Sequence, residues 1–339
     1  MQGRLNRLWY GPRAPLSLAP LAWLYAGVVA VRRRAYASGW LARASPGVPV
    51  IIVGNLTVGG TGKTPLTVWL AAELGARGLK VGLLSRGYGR EERAPRVVSA
   101  DADWRTVGDE PLILARHGGC DTVVSADRLA GARLLVTRGA QVIVADDGLQ
   151  HLRLARECEI VVVDGARGFG NGRLLPAGPL REPLAALARA DLVIVNGAAE
   201  HASLAGLQGA LSMTLRMWSA VRLDGAAPPR PLAAFAASPV HAVAGIGNPQ
   251  RFFRELRAQG LAVREHAFAD HHAFSAADLA FGDELPVLMT EKDAVKCTAI
   301  AAPRLWYVPV TADFSGADRH TLMTRVLAKI GGRETGGPP

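Results

Sequence analysis

The 339-residue chain has only three cysteines, Cys120, Cys158 and Cys297, far apart and odd in number. That excludes a disulfide framework and the paired spacing of a zinc site, and it points to a reducing compartment. Acidic residues are missing altogether before Glu73, although Arg4, Arg7, Arg13, Arg32, Arg33, Arg34, Arg43 and Lys63 all precede it. The net charge is +10. Such a basic beginning suits nucleic acid, an anionic membrane or a phosphorylated ligand. Aromatics make up 6 % of the chain and are interleaved with the cations only near the N-terminus, which argues against a nucleic-acid groove. Long apolar runs are also lacking, with one exception: residues 15–31, "PLSLAPLAWLYAGVVAV", carry no charge and are followed at once by Arg32–Arg34. As a helix this stretch is about 25 Å long, short of a bilayer core of about 30 Å. Trp9, Tyr10, Trp23, Tyr25, Tyr36 and Trp40 gather around it, at residue types that favour the headgroup level. The arginine triplet stands where a signal-peptide cleavage site would need small residues. The expectation is a helix within residues 1–36 lying in or dipping into the cytoplasmic leaflet, with a helix packed on the protein as the alternative.

What is present after Pro49 is an alternation of short β-branched runs and Ala/Leu/Arg-rich helical segments. Strands are expected at 48–53, 80–84, 121–124, 141–145, 159–163 and 191–195, with helices such as 65–76 and 127–137 between them. Continuous apolar strands bounded by Gly or Asp imply a parallel sheet covered on both faces. A second set, 241–244, 261–266, 286–289 and 305–308, follows a Pro- and Ala-rich stretch. The fold class is α/β: a P-loop NTPase-like core over 37–215, a smaller α/β domain over 216–330, and a disordered tail over 331–339.

"VGNLTVGGTGKTP" (53–65) joins an expected strand to an expected helix. In a P-loop, successive backbone amides wrap phosphates, the lysine neutralises β/γ charge, and the following hydroxyl ligates Mg²⁺. Thr57, Val58, Gly59, Gly60, Thr61, Gly62, Lys63 and Thr64 are the candidate nucleotide-binding residues. Thr57 occupies the place of the usual first glycine, and Val58 the place where partitioning-type ATPases carry a signature lysine. "VIVADDGLQH" supplies Asp146 and Asp147 at a strand tip on the same sheet edge, Asp146 being the first choice for the metal relay. An Asp-Gly turn is the plainer reading of that pair.

Further clusters fall at strand ends. "LLSRGYGR" offers a tight anion loop flanked by Arg86 and Arg90; "TVGDEPLIL" puts Asp109 and Glu110 at a helix start, where they also serve as caps. "GNGRLLPAGPLREP" suggests a hinge or lid bearing Arg181 and Glu182. "FADHHAF" sets Asp270, His271 and His272 together, without the third spaced ligand a metal site needs. An acceptor hydroxyl must lose its proton as the phosphoryl group arrives, a task for a carboxylate, coupled or not to a histidine.

"GNLTVGGTGKTP", "SRGYGR", "GDEP", "DDGLQH", "GNGRLLPAGPLRE", "GIGNPQRFF", "FADHH" and "TEKDAVK", in that order, closely resemble the tetraacyldisaccharide 4′-kinase family. The resemblance runs from the apolar leader to about residue 310. It implies transfer of the ATP γ-phosphate to the 4′-hydroxyl of a tetraacylated glucosamine disaccharide 1-phosphate, giving lipid IVA in lipid A biosynthesis. It also implies Mg²⁺, two α/β/α domains that close on nucleotide, and action at the cytoplasmic face of the inner membrane without an obligate protein partner. Carried over residue by residue, Lys63 and Thr64 are the P-loop pair, and Asp146 and Asp147 the acids of the metal site. Asp109 is the catalytic carboxylate coupled to His271. Glu110 and Glu182 are further metal candidates, while Arg86 and Arg181 are substrate contacts. Among the rivals, a membrane-associated partitioning ATPase is disfavoured by Val58. A GTP-dependent metallochaperone lacks its Cys/His cluster.

Overall fold

The computed structural model describes residues 8–11, 16–87, 90, 94–300 and 302–331. Gly89 of the expected anion loop, Arg4, Arg7 and Arg13 of the leader, and the expected tail beyond Gly331 lie outside the described residues.

The chain's most β-branched runs become its central strands. β1 (Val50–Gly54), β2 (Val81–Ser85), β3 (Arg96–Val98), β4 (Asp121–Val124), β5 (Val142–Asp146), β6 (Cys158–Asp164), β7 (Leu192–Asn196) and β8 (Leu211–Arg216) lie in one sheet. β1 is buried along its whole length and sits between β5 and β6, parallel to both, with Val53 opposite Asp146. Two apolar layers cover the faces, as continuous apolar strands require. Ile51, Val53, Val144 and Ile160 face α2 (Lys63–Gly75), whose Leu66, Leu70 and Leu74 repeat every four residues and are wholly buried. Ile52, Ile143 and Ala145 face α5 (Arg128–Thr137) through Leu129 and Leu135. Full burial of one such leucine contributes about 2 kcal/mol. Ahead of the sheet lies α1 (Ala19–Ala37), and between β3 and β4 come α3 (Trp104–Val107) and α4 (Asp109–His117).

The second sheet contains β9 (Ser219–Arg222), β10 (Arg230–Pro231), β11 (Val240–Ala244), β12 (Val263–Ala267), β13 (Val287–Thr290) and β14 (Leu305–Val308). α6 (Pro249–Ala258) packs on it through Phe252, Phe253 and Leu256, and α7 (Glu291–Ala294) follows β13. Val295 joins Val107, Leu112 and Val124 in an apolar contact between the two halves.

The C-terminal end differs from the expectation of one unit over 216–330. β15 (Thr311–Asp313) pairs with β8 in the first sheet, and α8 (Gly316–Gly331) buries Leu322, Met323 and Val326 in the first core. Ala312 and the leucine-type side chains of α8 find their apolar partners there, which a linear reading of the chain does not reveal. Arg216 lies opposite Thr311 and Val221 opposite Tyr307, so the two connections between the sheets run side by side.

The leader is a helix that does two things at once. Ala22 is buried, the Tyr25 hydroxyl donates to the Arg181 carbonyl at 2.9 Å, and Arg33 pairs with buried Glu182. Leu21, Trp23, Leu24, Val28 and Val31 remain exposed. Among the described residues no helix is long and apolar enough to cross a membrane.

Candidate active site

The turn after β1 is a nest that glycine makes possible. Gly59 (φ 105°) and Gly62 (φ 97°) take left-handed backbone, and a Cβ on Gly62 would meet the Asn196 amide nitrogen at 2.4 Å. Gly62 caps α2, whose first amides have no acceptor inside the helix and so point at an anion. Thr57 stands in a β-bridge to Leu180, an extended backbone that needs no glycine, which explains how the usual first glycine is dispensed with. Val58 is tied by its amide to the Pro179 carbonyl at 2.8 Å. The Thr61 hydroxyl is buried without a partner.

Asp146 ends β5 beside this turn, accepting a hydrogen bond from the Thr64 hydroxyl at 2.9 Å on Oδ2. Its other oxygen, Oδ1, is buried and unpartnered. Burial, then the charge of Glu110, pushes its carboxyl up to about 7, against the pull of Lys63. An orphaned carboxylate oxygen next to a threonine hydroxyl fits a hard divalent cation that takes one or two protein oxygens and completes its shell with phosphate and water. Among the described residues no three His, Cys, Asp or Glu side chains converge on one point, as an all-protein cage would require.

Asp147 has a different task. Its backbone is left-handed (φ 51°), Arg181 donates to both its oxygens at 3.0 and 2.8 Å, and Lys63 Nζ lies 3.9 Å away. Burial opposes its charge, but Lys63, Arg181 and Arg128 hold it far below the usual carboxylate range. Arg181 also grips Asn55. The arginine thus braces the P-loop strand against Asp147. Glu182, one residue on, is occupied by Arg33 and, at 3.8 Å, Arg189, and serves the leader helix instead of the Asp146 pocket.

Asp109 opens α4 and is buried; its Oδ1 accepts from the Glu110 amide at 2.9 Å and its Oδ2 lies 3.2 Å from His271 Nδ1. It is His271 (φ 60°), not His272, that reaches it; His272 faces Asp278 at 3.3 Å. Burial works against the Asp109 charge, but the His271 hydrogen bond and Lys292 keep its carboxyl below the ordinary value. The same hydrogen bond raises His271. Lys292, from α7 of the second domain, reaches Glu110 at 3.2 Å and Asp109 at 3.9 Å. The second domain therefore supplies both a histidine and a cation to acids of the first.

Four participants escaped the sequence reading as site residues: Asp164, Asn196, Arg251 and Arg128. Asn196, at the tip of β7, donates to the Thr61 carbonyl at 2.8 Å and accepts from Arg251 of α6 at 2.6 Å; Arg251 also approaches Asp164, at the tip of β6, at 3.5 Å. Arg128 is buried and donates to the Asp146 carbonyl at 3.3 Å. Three of them sit at or just after the C-terminal ends of parallel strands, and that rule was the available signal. Arg128 also walls a cavity of about 350 Å³ with Arg32, Tyr36, His151 and Arg153. His151 is pushed down to about 3 by burial and by the charges of Arg128 and Arg86, so the exposed Arg86 acts on this cavity without touching it.

Comparison with known proteins converges on one answer. The family model described as tetraacyldisaccharide-1-P 4′-kinase matches residues 14–330. A tetraacyldisaccharide 4′-kinase of Alkalilimnicola ehrlichii is 51 % identical over 315 residues, spanning 90 % of this chain and 91 % of that one. One of Stenotrophomonas maltophilia is 51 % identical over 314 residues, with 91 % and 92 % covered. Among solved structures, an LpxK from Aquifex aeolicus in complex with ATP superimposes with a TM-score of 0.76 at 29 % identity, covering 93 % of this chain and 98 % of that one. With a P-loop, an orphaned aspartate and an Asp–His pair already in place, the chain belongs to the tetraacyldisaccharide-1-P 4′-kinase family.

Proposed function

We propose that this chain transfers the γ-phosphate of ATP to the 4′-hydroxyl of a tetraacylated glucosamine disaccharide 1-phosphate at a membrane surface. The observation that carries the reading is the juxtaposition of two half-sites. A phosphate nest ending in Lys63 and Thr64 adjoins the unpartnered oxygen of Asp146, and His271 of the second domain rests on Asp109 of the first.

In this reading the amides of 59–63 and Lys63 hold the nucleotide phosphates. Thr64 and Asp146 would hold Mg²⁺, which when bound would supply positive charge to offset that of the phosphates. Asp147 and Arg181 keep Lys63 and the loop in place. The acceptor hydroxyl gives its proton to the Asp109–His271 pair. Asp109, buried behind the half-exposed ring, orients Nδ1 and stabilises the charge His271 gains. Lys292 ties that pair to Glu110 when the domains are together. Arg251, through Asn196, does the same for the P-loop.

The cavity of Arg32, Arg128, His151 and Arg153 suits the acceptor's own phosphate. It lies between the leader helix and the residue that bonds Asp146, so a lipid entering along α1 brings its sugar toward the reaction centre. The exposed apolar face of α1 and the arginines that follow it support action at the cytoplasmic face of the inner membrane. The test is transfer of labelled γ-phosphate from ATP to a tetraacyl disaccharide 1-phosphate, with the phosphorylated position mapped. ATP hydrolysis with no glycolipid product refutes the assignment.

A further inference from the structure

The helix α1 ends in consecutive arginines that open onto different cavities. Arg32 faces the acceptor cavity just described. Arg33, Arg34 and Ala37 line a separate one of about 450 Å³ with Arg43, Arg156 and Arg189. None of Lys63, Thr64, Asp109, Asp146 or His271 borders it.

Its charge is out of balance. The two acids on its wall are engaged: Glu159 with Arg156 at 3.0 Å, and Asp191 with Lys329 at 2.5 Å and with the Glu159 amide at 2.8 Å. Glu182 serves Arg33 and Arg189 from behind. Arg34 and Arg43, both exposed, have no acidic partner among the described residues. Burial first, then the charges of Arg189, Arg156 and Arg43 against that of Glu159, press the Arg33 guanidinium down to about 10.

The cavity also sits at the end of a greasy track. Leu21, Leu24, Val28 and Val31 follow one another at intervals of three, four and three residues and are all exposed, and Arg34 is next on the same face. Trp40 and Leu41 lie exposed just beyond.

We propose that this second cavity binds the headgroup phosphodiester of an anionic glycerophospholipid of the bilayer, with its acyl chains along the Leu21–Val31 face, as a site distinct from the acceptor's. A phosphodiester oxygen suits the guanidinium fork, whereas the ammonium of a zwitterionic lipid would face more arginines. The inference rests on the reading that α1 lies on a membrane. Its function is to fix the helix at a set depth, so that the neighbouring acceptor cavity opens at the headgroup level.

The probe is dihexanoyl-phosphatidylglycerol, used below its micelle concentration and titrated calorimetrically into the full chain, with dihexanoyl-phosphatidylcholine and inorganic phosphate as comparisons. The expected result is one phosphatidylglycerol per chain, bound at least tenfold tighter than either comparison. Arg34→Gln with Arg43→Gln weakens it about tenfold or more. The charge-matched pair Arg254→Gln with Arg325→Gln leaves it within twofold. Both pairs are exposed, so an unchanged thermal midpoint certifies folding. Labelled transfer to the acceptor, measured in detergent, keeps its kcat/KM within twofold in the Arg34/Arg43 variant. Equal affinity for inorganic phosphate overturns the lipid identity. Unchanged phosphatidylglycerol binding in the Arg34/Arg43 variant overturns the location. A rise in acceptor KM in that variant assigns the cavity to the acceptor and overturns the separate site. Failure of transfer by the wild-type chain, with lipid binding intact, counts against the kinase reading alone.

Discussion

Asp146→Asn should make the nucleotide-free protein more stable and the enzyme dead. The wild-type carboxyl titrates at about 7 against an ordinary 3.8, because it is buried beside Glu110 with one oxygen unpartnered. The folded chain thus keeps a proton that the unfolded chain has already released. A raised carboxyl of this kind favours folding fully only below the unfolded value, and its contribution is lost as pH climbs toward 7. A gap of roughly three units corresponds to about 4 kcal/mol. Asparagine preserves the acceptor for the Thr64 hydroxyl and has no charge to bury. The advantage of the variant in unfolding free energy should therefore grow by about 1.4 kcal/mol per pH unit above about pH 4 and level off past 7. It should stand near 1.5 kcal/mol at about pH 5 and near 4 kcal/mol at about pH 8. Urea unfolding of both proteins without nucleotide or Mg²⁺, followed by circular dichroism and tryptophan fluorescence across that range, measures it. Added ATP and Mg²⁺ should raise the stability of the wild type and do little for the variant. A difference that does not change with pH, or a variant less stable than wild type at pH 8, refutes the account of Asp146 as a carboxyl awaiting a cation.

Lys63→Ala should reduce transfer by about 10³-fold or more, since the nest loses the charge that neutralises the migrating phosphoryl group; initial rates with labelled ATP measure it. Asp109→Asn should lower kcat about 10²- to 10⁴-fold with little change in the KM for ATP. Activity of the wild type should fall as pH drops through the raised value of His271, which must be free of its proton to accept another. In the Asn variant that acid limb should move to lower pH, because the hydrogen bond responsible for the rise is weakened; a pH–rate profile of each enzyme reads this out. Deleting residues 1–36 should abolish sedimentation with membranes and destabilise the chain by about 3 kcal/mol, since buried Glu182 loses Arg33; flotation and thermal unfolding test the two parts separately.

The strand-forming runs were legible because their centres are continuously apolar, as buried parallel strands require, and β1, β5, β6 and β7 follow that rule. The phosphate nest was legible because its chemistry is local: glycines, a lysine and a threonine within one turn. Less could be read wherever partners come from distant parts of the chain. β3, β8, β9, β10 and β15 are edge or connecting strands, with exposed or half-buried positions that break the apolar pattern. Asn196 and Arg251 meet across 55 residues of sequence, and no spacing signals that. Glu182 resembled a metal ligand because it follows Arg181 in a loop near the acids, yet its side chain turns toward a helix more than a hundred residues away in sequence. His271 and His272 are indistinguishable as letters, and only the positive φ of the first aims its ring at Asp109.

The paired connections between the sheets have a mechanical consequence. Both crossings lie next to each other, so the smaller lobe is fastened to the nucleotide lobe along one seam instead of at two separated points. His271, Lys292 and Arg251 all ride on that one lobe, so their contacts with Asp109, Glu110 and Asn196 stand or fall as a set.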